Sequence, residues 1–448
     1  MANETMVLLE KIVVPSGGAS SIEFTSIPNS YTDLCVKWSV RSNRSAVTDP
    51  IRLSFNGSSS SFTNKYLSGN SSAAISGSSA QYVGEAVGNT ATSTTFGNGE
   101  LYIPNYAGST NKSASSDNVS ENNAGGAGDA VATLAATLWS NTAAITSVKL
   151  TLDNGSFMQY STAYLYGVAK QGVTPTNAPA ATGGDSIVFD GTYWIHTFYS
   201  SGTFTPKKAL TCDYLVVAGG GGGGKSNGGG GGGGGLRSTV TASGGSPGTV
   251  ESALSLTAQA YTVTVGAGGA GGATNQGTNG SNSVFGTITS DGGGGGGSQV
   301  TPIAGLTGGS GGGGAYQSGA GGSGTANQGF AGGTGNASQG LGGSGGGASA
   351  VGGNSNYFAS SPGGAGVATT ISGSSVTYAG GGGAGGYSDS GTRQQPGGAG
   401  GGGKGGGSNN STSPDAGSTN TGGGGGGGYA ANNGAAGGSG IVIVRYAA

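Results

Sequence analysis

A stretch of chain that is more than one-third glycine cannot fold by burying side chains, and this sequence confines that problem to its second half. Of 106 glycines in 448 residues, 86 lie beyond Ala218 and 20 before it, which makes the second half 37% glycine. Glycine loses the most backbone entropy on ordering and brings no side chain to offset the loss. Two different folding problems therefore share one chain, whose length allows two or three domains.

Collagen needs glycine at every third position, but Gly228–Gly235, Gly292–Gly297 and Gly422–Gly428 are unbroken runs and prolines are few. A flexible tether is the bland alternative. Against it, apolar residues punctuate the runs, among them Phe285, Ile303, Phe330, Leu341, Ile371 and Tyr378, and a strong strand follows at Ile441–Tyr446. The remaining arrangement is a bundle of polyglycine-II helices with three residues per turn and about 3.1 Å rise per residue. Without Cβ atoms, neighbouring backbones approach closely enough to bond sideways, and backbone pairing replaces a core. Alanine and serine within the runs are expected to face outward or to stand where a neighbour is absent.

The bundle is framed by β-branched segments, Tyr214–Ala218 before it and Ile441–Tyr446 after it, which are expected to meet in one sheet. Thr239–Val240, Leu254–Leu256, Tyr261–Val265 and Val284–Ile288 add strands to that platform. Segments between runs then become loops at the bundle tips: Gln317–Asn327, Asn354–Phe358, Gly386–Gln395 and Asn409–Asn420.

The first half follows another rule. Val36, Trp38 and Val40 alternate with polar neighbours, as do Ile51, Leu53 and Phe55, the period-two signature of half-buried strands. Further strands are expected at Leu8–Val14, Ser21–Phe24, Leu34–Val40, Gly99–Ile103, Ser147–Leu152 and Ala163–Val168, with turns at Asn56–Gly57 and Asp153–Gly155. Asp129–Trp139 fits a short helix and a strand-bearing loop equally well. The fold class expected is mainly β: an antiparallel sandwich or jelly roll over 1–170, a linker over 171–184, a strand platform over 185–218, and the glycine-rich domain over 219–448.

Chemistry is sparse. Only nine of the 34 charged residues lie beyond Ala218, and their cations are too scattered to follow a phosphate backbone, so nucleic acid is not an expected partner. Cys35 and Cys212 sit among apolar residues and read as buried small hydrophobes. The single histidine, His196, lies between aromatic residues in Tyr193–Phe198 and reads as structural. With so few histidines and cysteines, no metal or cofactor site is expected. Gly-x-Gly-x-x-Gly matches arise by chance in such a composition, and the helix that must follow is missing. Scattered carboxylates, Glu23, Asp33, Asp49, Glu85, Glu100, Asp129 and Asp153, leave a glycan-cleaving pair open, although solvated turn residues are the simpler reading. The amino terminus lacks a basic stretch followed by a long apolar core, so no secretion signal is expected.

Two resemblances add to this reading. Ser26–Leu34, Ile51–Gly57, Leu138–Leu150 and Thr162–Val168 together resemble a module recurring in structural proteins of tailed phages, and that likeness covers most of residues 8–170. Tyr214–Gly221, Tyr261–Gly269, Ser283–Ile288 and Gly440–Tyr446 resemble the glycine-rich domain of phage tail-fibre and adhesin proteins, over residues 200–448. They imply a virion surface protein, synthesised in the host cytoplasm and placed on the tail. Its first domain would join other virion or tail proteins, and its glycine-rich domain would touch a bacterial surface protein or glycan. A fibre-like assembly implies a homotrimer, although no heptad pattern identifies one. The tip residues Tyr316, Tyr357, Phe358, Tyr387, Arg393 and Tyr429 are the receptor-binding candidates, because they interrupt regions that otherwise offer almost no side-chain chemistry. A capsid decoration or fibre-like appendage without a receptor is the alternative, and an enzyme acting on surface polysaccharide is a third.

Overall fold

A computed structural model describes residues 6–70, 72–121, 130–169, 178–300, 303–355, 361–386, 394–407 and 412–448. The chain forms two compact units: Met1–Ala180 with Asp185–Trp194 and Ala447–Ala448, and Ala181–Gly184 with Ile195–Tyr446. The expected platform segment 185–218 is thus divided between them. Residues 171–177 of the expected linker lie outside the described residues.

The first unit begins with β1 (Met6–Val13), β2 (Ser21–Phe24), β3 (Asp33–Val40), β4 (Thr48–Phe55), β5 (Phe62–Asn70) and β6 (Ala74–Gly77). It continues through β7 (Tyr82–Val87), β8 (Gly97–Pro104), β9 (Lys112–Ser120), β10 (Val131–Trp139), β11 (Val148–Leu152) and β12 (Thr162–Val168). After β13 (Ala181–Thr182), which belongs to the second unit, β14 (Ser186–Phe189) rejoins the first by pairing with β1. One antiparallel sheet runs β14-β1-β12-β3-β8-β9-β10-β5-β6, and a second runs β2-β11-β4-β7. They form the expected sandwich. Phe24, Trp38, Leu53, Phe55, Leu101, Trp139, Leu150 and Leu165 fill its interior. Trp139 meets Phe55 edge-on with ring centroids 5.6 Å apart and stacks on Phe62 at 6.1 Å.

The undecided segment before Trp139 is strand β10, pairing with β9 on one side and β5 on the other. Its burial alternates along the strand, as a half-buried strand requires. The Asn56–Gly57 turn also has a long-range role. Asn56 adopts φ +52°, and its side chain donates to the Ala144 carbonyl at 2.8 Å while accepting from the N–H groups of Thr146 (2.8 Å) and Ser147 (3.1 Å). This one residue ties together two of the phrases on which the phage-module resemblance rests.

In the second unit, β15 (Tyr193–Phe198, from Ile195 onward), β16 (Gly202–Pro206) and β17 (Leu210–Val217) precede the first glycine run. β18 (Leu236–Ser238), β19 (Leu254–Leu256), β20 (Tyr261–Thr264), β21 (Ser283–Phe285), β22 (Ile288–Ser290), β23 (Val367–Thr369), β24 (Val376–Tyr378) and β25 (Ile441–Ala447) follow. The framing strands do meet: Val217 pairs with Ile441, Leu215 with Ile443 and Asp213 with Arg445. Two sequence expectations shift. Thr239–Val240 is a bend after β18, and Val284–Ile288 is the hairpin β21–β22, which turns at Gly286 with φ +58°.

Run 218–225 makes the bundle geometry explicit. Gly219, Gly222 and Lys225 donate their N–H groups to the carbonyls of Ser281, Thr278 and Asn275. Gly220, Gly223 and Ser226 donate to Gly438, Ala435 and Asn432, and Gly221 and Gly224 donate to Gly232 and Gly229. Each step of three in the donor is a step of minus three in the acceptor, so these neighbours run antiparallel. On the accepting side, Gly219 and Gly222 receive from Gly293 and Gly296, Gly220 and Gly223 from Gly269 and Gly272, and Gly221 and Gly224 from Gly425 and Gly428. Those neighbours run parallel. The run therefore bonds sideways to six others, over N···O distances of 2.8–3.3 Å. A period of three with no bond inside the run is the polyglycine-II pattern, distinct from the four-residue step of an α-helix and the two-residue step of a strand.

Glycine is required here for lack of room. At every position of Gly219–Gly224 and Gly228–Gly235, an added Cβ would lie closer than 3.0 Å to a backbone atom of another run. Serine and alanine need not face outward here: Ser310, Ser344, Ala315 and Ala384 are fully buried within the bundle, and Ser344 takes the second place expected of such residues, where a neighbour is absent. Ser344 shows how this works: its hydroxyl donates to the Ser361 carbonyl at 2.5 Å and accepts from the Ala384 N–H at 3.0 Å, taking a place that a neighbouring backbone would otherwise fill.

Candidate functional site

Successive runs alternate in direction, so their turns fall at two ends: one joined to the strand platform, the other free of it. Both ends carry side-chain chemistry: beside the platform Arg237 pairs with Glu251 at 2.7 Å and Gln328 donates to Asp291 at 3.3 Å, and the free end gathers a second set. Lys225–Ser226–Asn227 turns the first run into the second, with Ser226 and Asn227 at φ +51° and +48°. Asn227 then gathers two other turns. Its carbonyl accepts from the Tyr316 N–H at 3.2 Å, and its side-chain oxygen accepts from the Ala430 N–H at 3.2 Å, next to Tyr429. Gln299 donates to the Tyr316 hydroxyl at 3.2 Å and accepts from the Asn227 amide at 3.4 Å, while Lys225 reaches the Ala273 carbonyl at 2.8 Å.

Tyr316 and Tyr429, both half-buried, are thereby brought to one end of the bundle around Asn227. Tyr357, Phe358, Tyr387 and Arg393 lie outside the described residues. Two expected tip loops are shorter than the sequence suggested. Within Gln317–Asn327, residues 319–324 form a run whose Gly319 and Gly322 donate to Ala315 and Gly312. Within Asn409–Asn420, Asp415 and Ser418 donate to Lys404 and Gly401, again as part of a run. Sequence reasoning missed Asn227 and Gln299, although Lys225–Ser226–Asn227 is the sole break between two long glycine runs.

At the platform end, His196 is fully buried among Phe204, at 5.1 Å edge-on, and Tyr446, at 5.5 Å. Its Nδ1–H donates to the Gly183 carbonyl at 2.7 Å, because a carbonyl only accepts. Its Nε2 therefore accepts from the Tyr446 hydroxyl at 3.1 Å, and that hydroxyl in turn accepts from the Ala181 N–H at 3.0 Å. Burial holds the imidazole pKa down at about 4, against the pull of the Gly183 bond, so the ring is neutral at pH 7. This chain of bonds serves the platform, with His196 wholly buried inside it. Cys35 and Cys212 are both buried free thiols.

The scattered carboxylates are mostly occupied. Glu23 pairs with Lys149 at 3.1 Å, Glu100 with Lys37 at 2.8 Å and Asp153 with Arg52 at 2.6 Å, while Asp49 accepts from Ser42 at 2.7 Å and Asp33 from Tyr102 at 2.6 Å. Asp129 lies outside the described residues. Among the described residues, no three His, Cys, Asp or Glu side chains group as metal ligands.

A strand platform that threads glycine-rich helices back and forth, with polar side chains at their turns, defines a glycine-helix scaffold protein. The model of a glycine-rich domain family matches residues 199–447, more than half the chain, and the chain belongs to that family. No curated protein and no solved structure matches it.

Proposed function

We propose that this protein is a host-receptor-binding component of a bacteriophage tail, which reads a bacterial surface protein or glycan through the free turns of its glycine-helix bundle. The observation that carries this reading is the convergence of Tyr316, Tyr429, Gln299 and Lys225 around Asn227 at the end of the bundle away from the platform. A bundle whose runs are each held by neighbouring backbones presents such turns rigidly, which lowers the ordering cost of binding. Tyrosine and amide side chains suit a wet contact surface, since each combines contact area with hydrogen bonding. The turns also vary freely without disturbing the runs, which suits a surface that must follow a changing receptor.

The test is adsorption to host cells. Purified protein in which Tyr316, Tyr429 and Gln299 are replaced together by alanine should bind host cells at least about tenfold more weakly, a loss of about 1.4 kcal/mol, with folding unchanged. Undiminished binding by that folded variant removes the turns from receptor recognition, and normal adsorption by virions lacking the second unit removes the reading itself.

A structural surface protein without a receptor of its own is the second reading, and one observation favours it. Leu67, Leu134, Leu138 and Val119 stand exposed on the outer face of β5, β9 and β10, with Leu134 60% accessible. An exposed apolar row of this kind suits burial against other virion proteins. Imaging the virion separates the two readings: many equivalent capsid sites would favour this one, and a tail position the first.

A further inference from the structure

The sandwich of the first unit has its polarity reversed along β9 and β10. Leu134 and Leu138 point to solvent, whereas Ser116, Asn118, Thr133 and Thr137 are buried between the sheets. Sandwich interiors are ordinarily apolar, because a buried polar group costs free energy unless it is bonded. Beside this polar interior opens a cavity of about 320 Å³, walled by β4, β5, β6, β7 and β10 and lined by Arg52, Tyr66, Ser68, Ser79, Tyr82 and Glu85 among others. Its size lies at the lower end of the range for small-ligand pockets, roughly 300–1,000 Å³.

Lining residues Ser68 and Tyr82 are joined through Thr133, which stands behind the lining, in a connected set of hydroxyls that ends on a carboxyl group. Ser68 and Thr133 share a hydrogen bond of 2.8 Å, Thr133 and Tyr82 one of 3.3 Å, and the Tyr82 hydroxyl donates to Glu85 Oε1 at 3.2 Å. Glu85 Oε2 is buried without a well-formed hydrogen bond. Tyr66 and Tyr82 stand with ring centroids 4.9 Å apart and planes tilted by 56°. Gly77 leaves the space for the end of the Tyr66 side chain, since a Cβ there would lie 2.6 Å from its hydroxyl oxygen and 2.8 Å from its ring.

The charge at the rim is already committed. Arg52 holds Asp153 with two bonds, at 2.7 and 2.6 Å, and donates from its other terminal nitrogen to Ser79 at 2.7 Å and the Ala80 carbonyl at 3.0 Å. An anionic ligand would thus find no unpaired cation among the described lining residues and would face the Glu85 carboxyl. The polar cavity of about 280 Å³ on the glycine bundle differs, because Asn279, Asn282 and Thr325 bond to the scaffold's own backbone and no aromatic ring lines it.

We propose that the cavity of the first unit is a binding site for an uncharged saccharide unit. Tyr66 would take its apolar ring face, beside a Tyr82 ring that lies under the Arg52 guanidinium at 5.9 Å, and Glu85 and Ser68 its hydroxyls. A sugar offers both surfaces at once: C–H groups for the rings, and hydroxyls that donate to a carboxylate or accept from a carboxylic acid. Burial, opposed by the Tyr82 and Thr48 hydroxyls, pushes the Glu85 pKa up to about 7, so both forms are populated near neutral pH. The site rests on the first unit alone and is independent of receptor binding by the glycine turns.

The experiment uses the full chain. D-glucose, D-galactose, D-mannose, N-acetylglucosamine, lactose and maltose are titrated in turn by calorimetry and by saturation-transfer NMR. At least one probe should bind saturably, Tyr66→Ala should weaken it by about tenfold or more, and the near-isosteric Glu85→Gln should weaken it by about threefold or more. Tyr160→Ala, an exposed aromatic outside the cavity lining, should leave binding unchanged. The proposal is overturned if no probe binds saturably or if Glu85→Gln, folded by its thermal transition, binds as tightly as the wild type. Glu85→Gln decides the matter even if Tyr66→Ala fails to fold.

Discussion

Substituting Gly231 with alanine is the sharpest test of the glycine scaffold, because one methyl group is set against a known set of bonds. The Gly231 N–H donates to Gly425 at 2.8 Å and its carbonyl accepts from Gly382 at 2.8 Å, while an added Cβ would collide with the Gly221 carbonyl. Admitting the methyl requires run 218–225 to move away from run 228–235. That separation breaks the Gly221–Gly232 and Gly224–Gly229 bonds and strains the Gly425–Gly221 bond. With each backbone bond contributing about 1 kcal/mol net, and with buried groups left unsatisfied, the loss is about 4 kcal/mol. The lower entropy of alanine in the unfolded chain offsets up to about 1 kcal/mol of this. A net loss of about 3 kcal/mol in a unit of this size lowers its Tm by about 6–12 °C. Calorimetry of the full chain measures it, with Gly202→Ala as the control, because a Cβ there meets only the Phe198 ring at 3.5 Å. A folded Gly231→Ala variant whose transition lies within about 2 °C of the wild type would refute close backbone packing as the reason for glycine.

Gly231→Val adds branches that cannot rotate clear of the same carbonyl, so the second unit should not fold cooperatively; a sharp calorimetric transition would count against this. Folded-state His196 has its pKa lowered from 6.5 to about 4, so between those values the unfolded chain binds the proton and the folded chain does not. Stability from this residue is therefore full above about pH 6.5 and falls as pH drops towards 4, by about 3 kcal/mol in all; denaturant midpoints of wild type and His196→Gln should converge over that window, and parallel curves would be the contrary result. Asn56→Ala removes four hydrogen bonds that join the turn after β4 to residues 144–147 and should destabilise the first unit by about 2 kcal/mol, read as a lower denaturant midpoint.

The strands whose inner faces are apolar were legible from sequence alone: β2, β3, β12 and β19 fall where alternation or β-branching places them, to within a residue at either end. β5, β9 and β10 were not, because their buried faces carry Asn64, Ser68, Ser116, Asn118, Thr133 and Thr137, and a strand with a polar inner face has no hydrophobic period to detect. The same reversal hid the cavity of the first unit, whose residues come from five strands. At the glycine end, the tyrosines at 316 and 429 stood out as chemistry in an otherwise featureless region, whereas Asn227, far earlier in the chain, showed only as a break between two glycine runs and not as the residue that unites their turns.

For the bundle the division is sharper. Composition by itself excluded a side-chain core and collagen, and its unbroken runs called for close-packed three-residue helices between two framing strands. Which runs lie beside which was decided only in three dimensions. Glycine carries no side chain by which one run could distinguish another, and each run offers its neighbours the same N–H and C=O groups. The six partners of run 218–225 are therefore selected by the lengths of the turns and by the pairing of β17 with β25, which sets where the first run starts and where the last one ends.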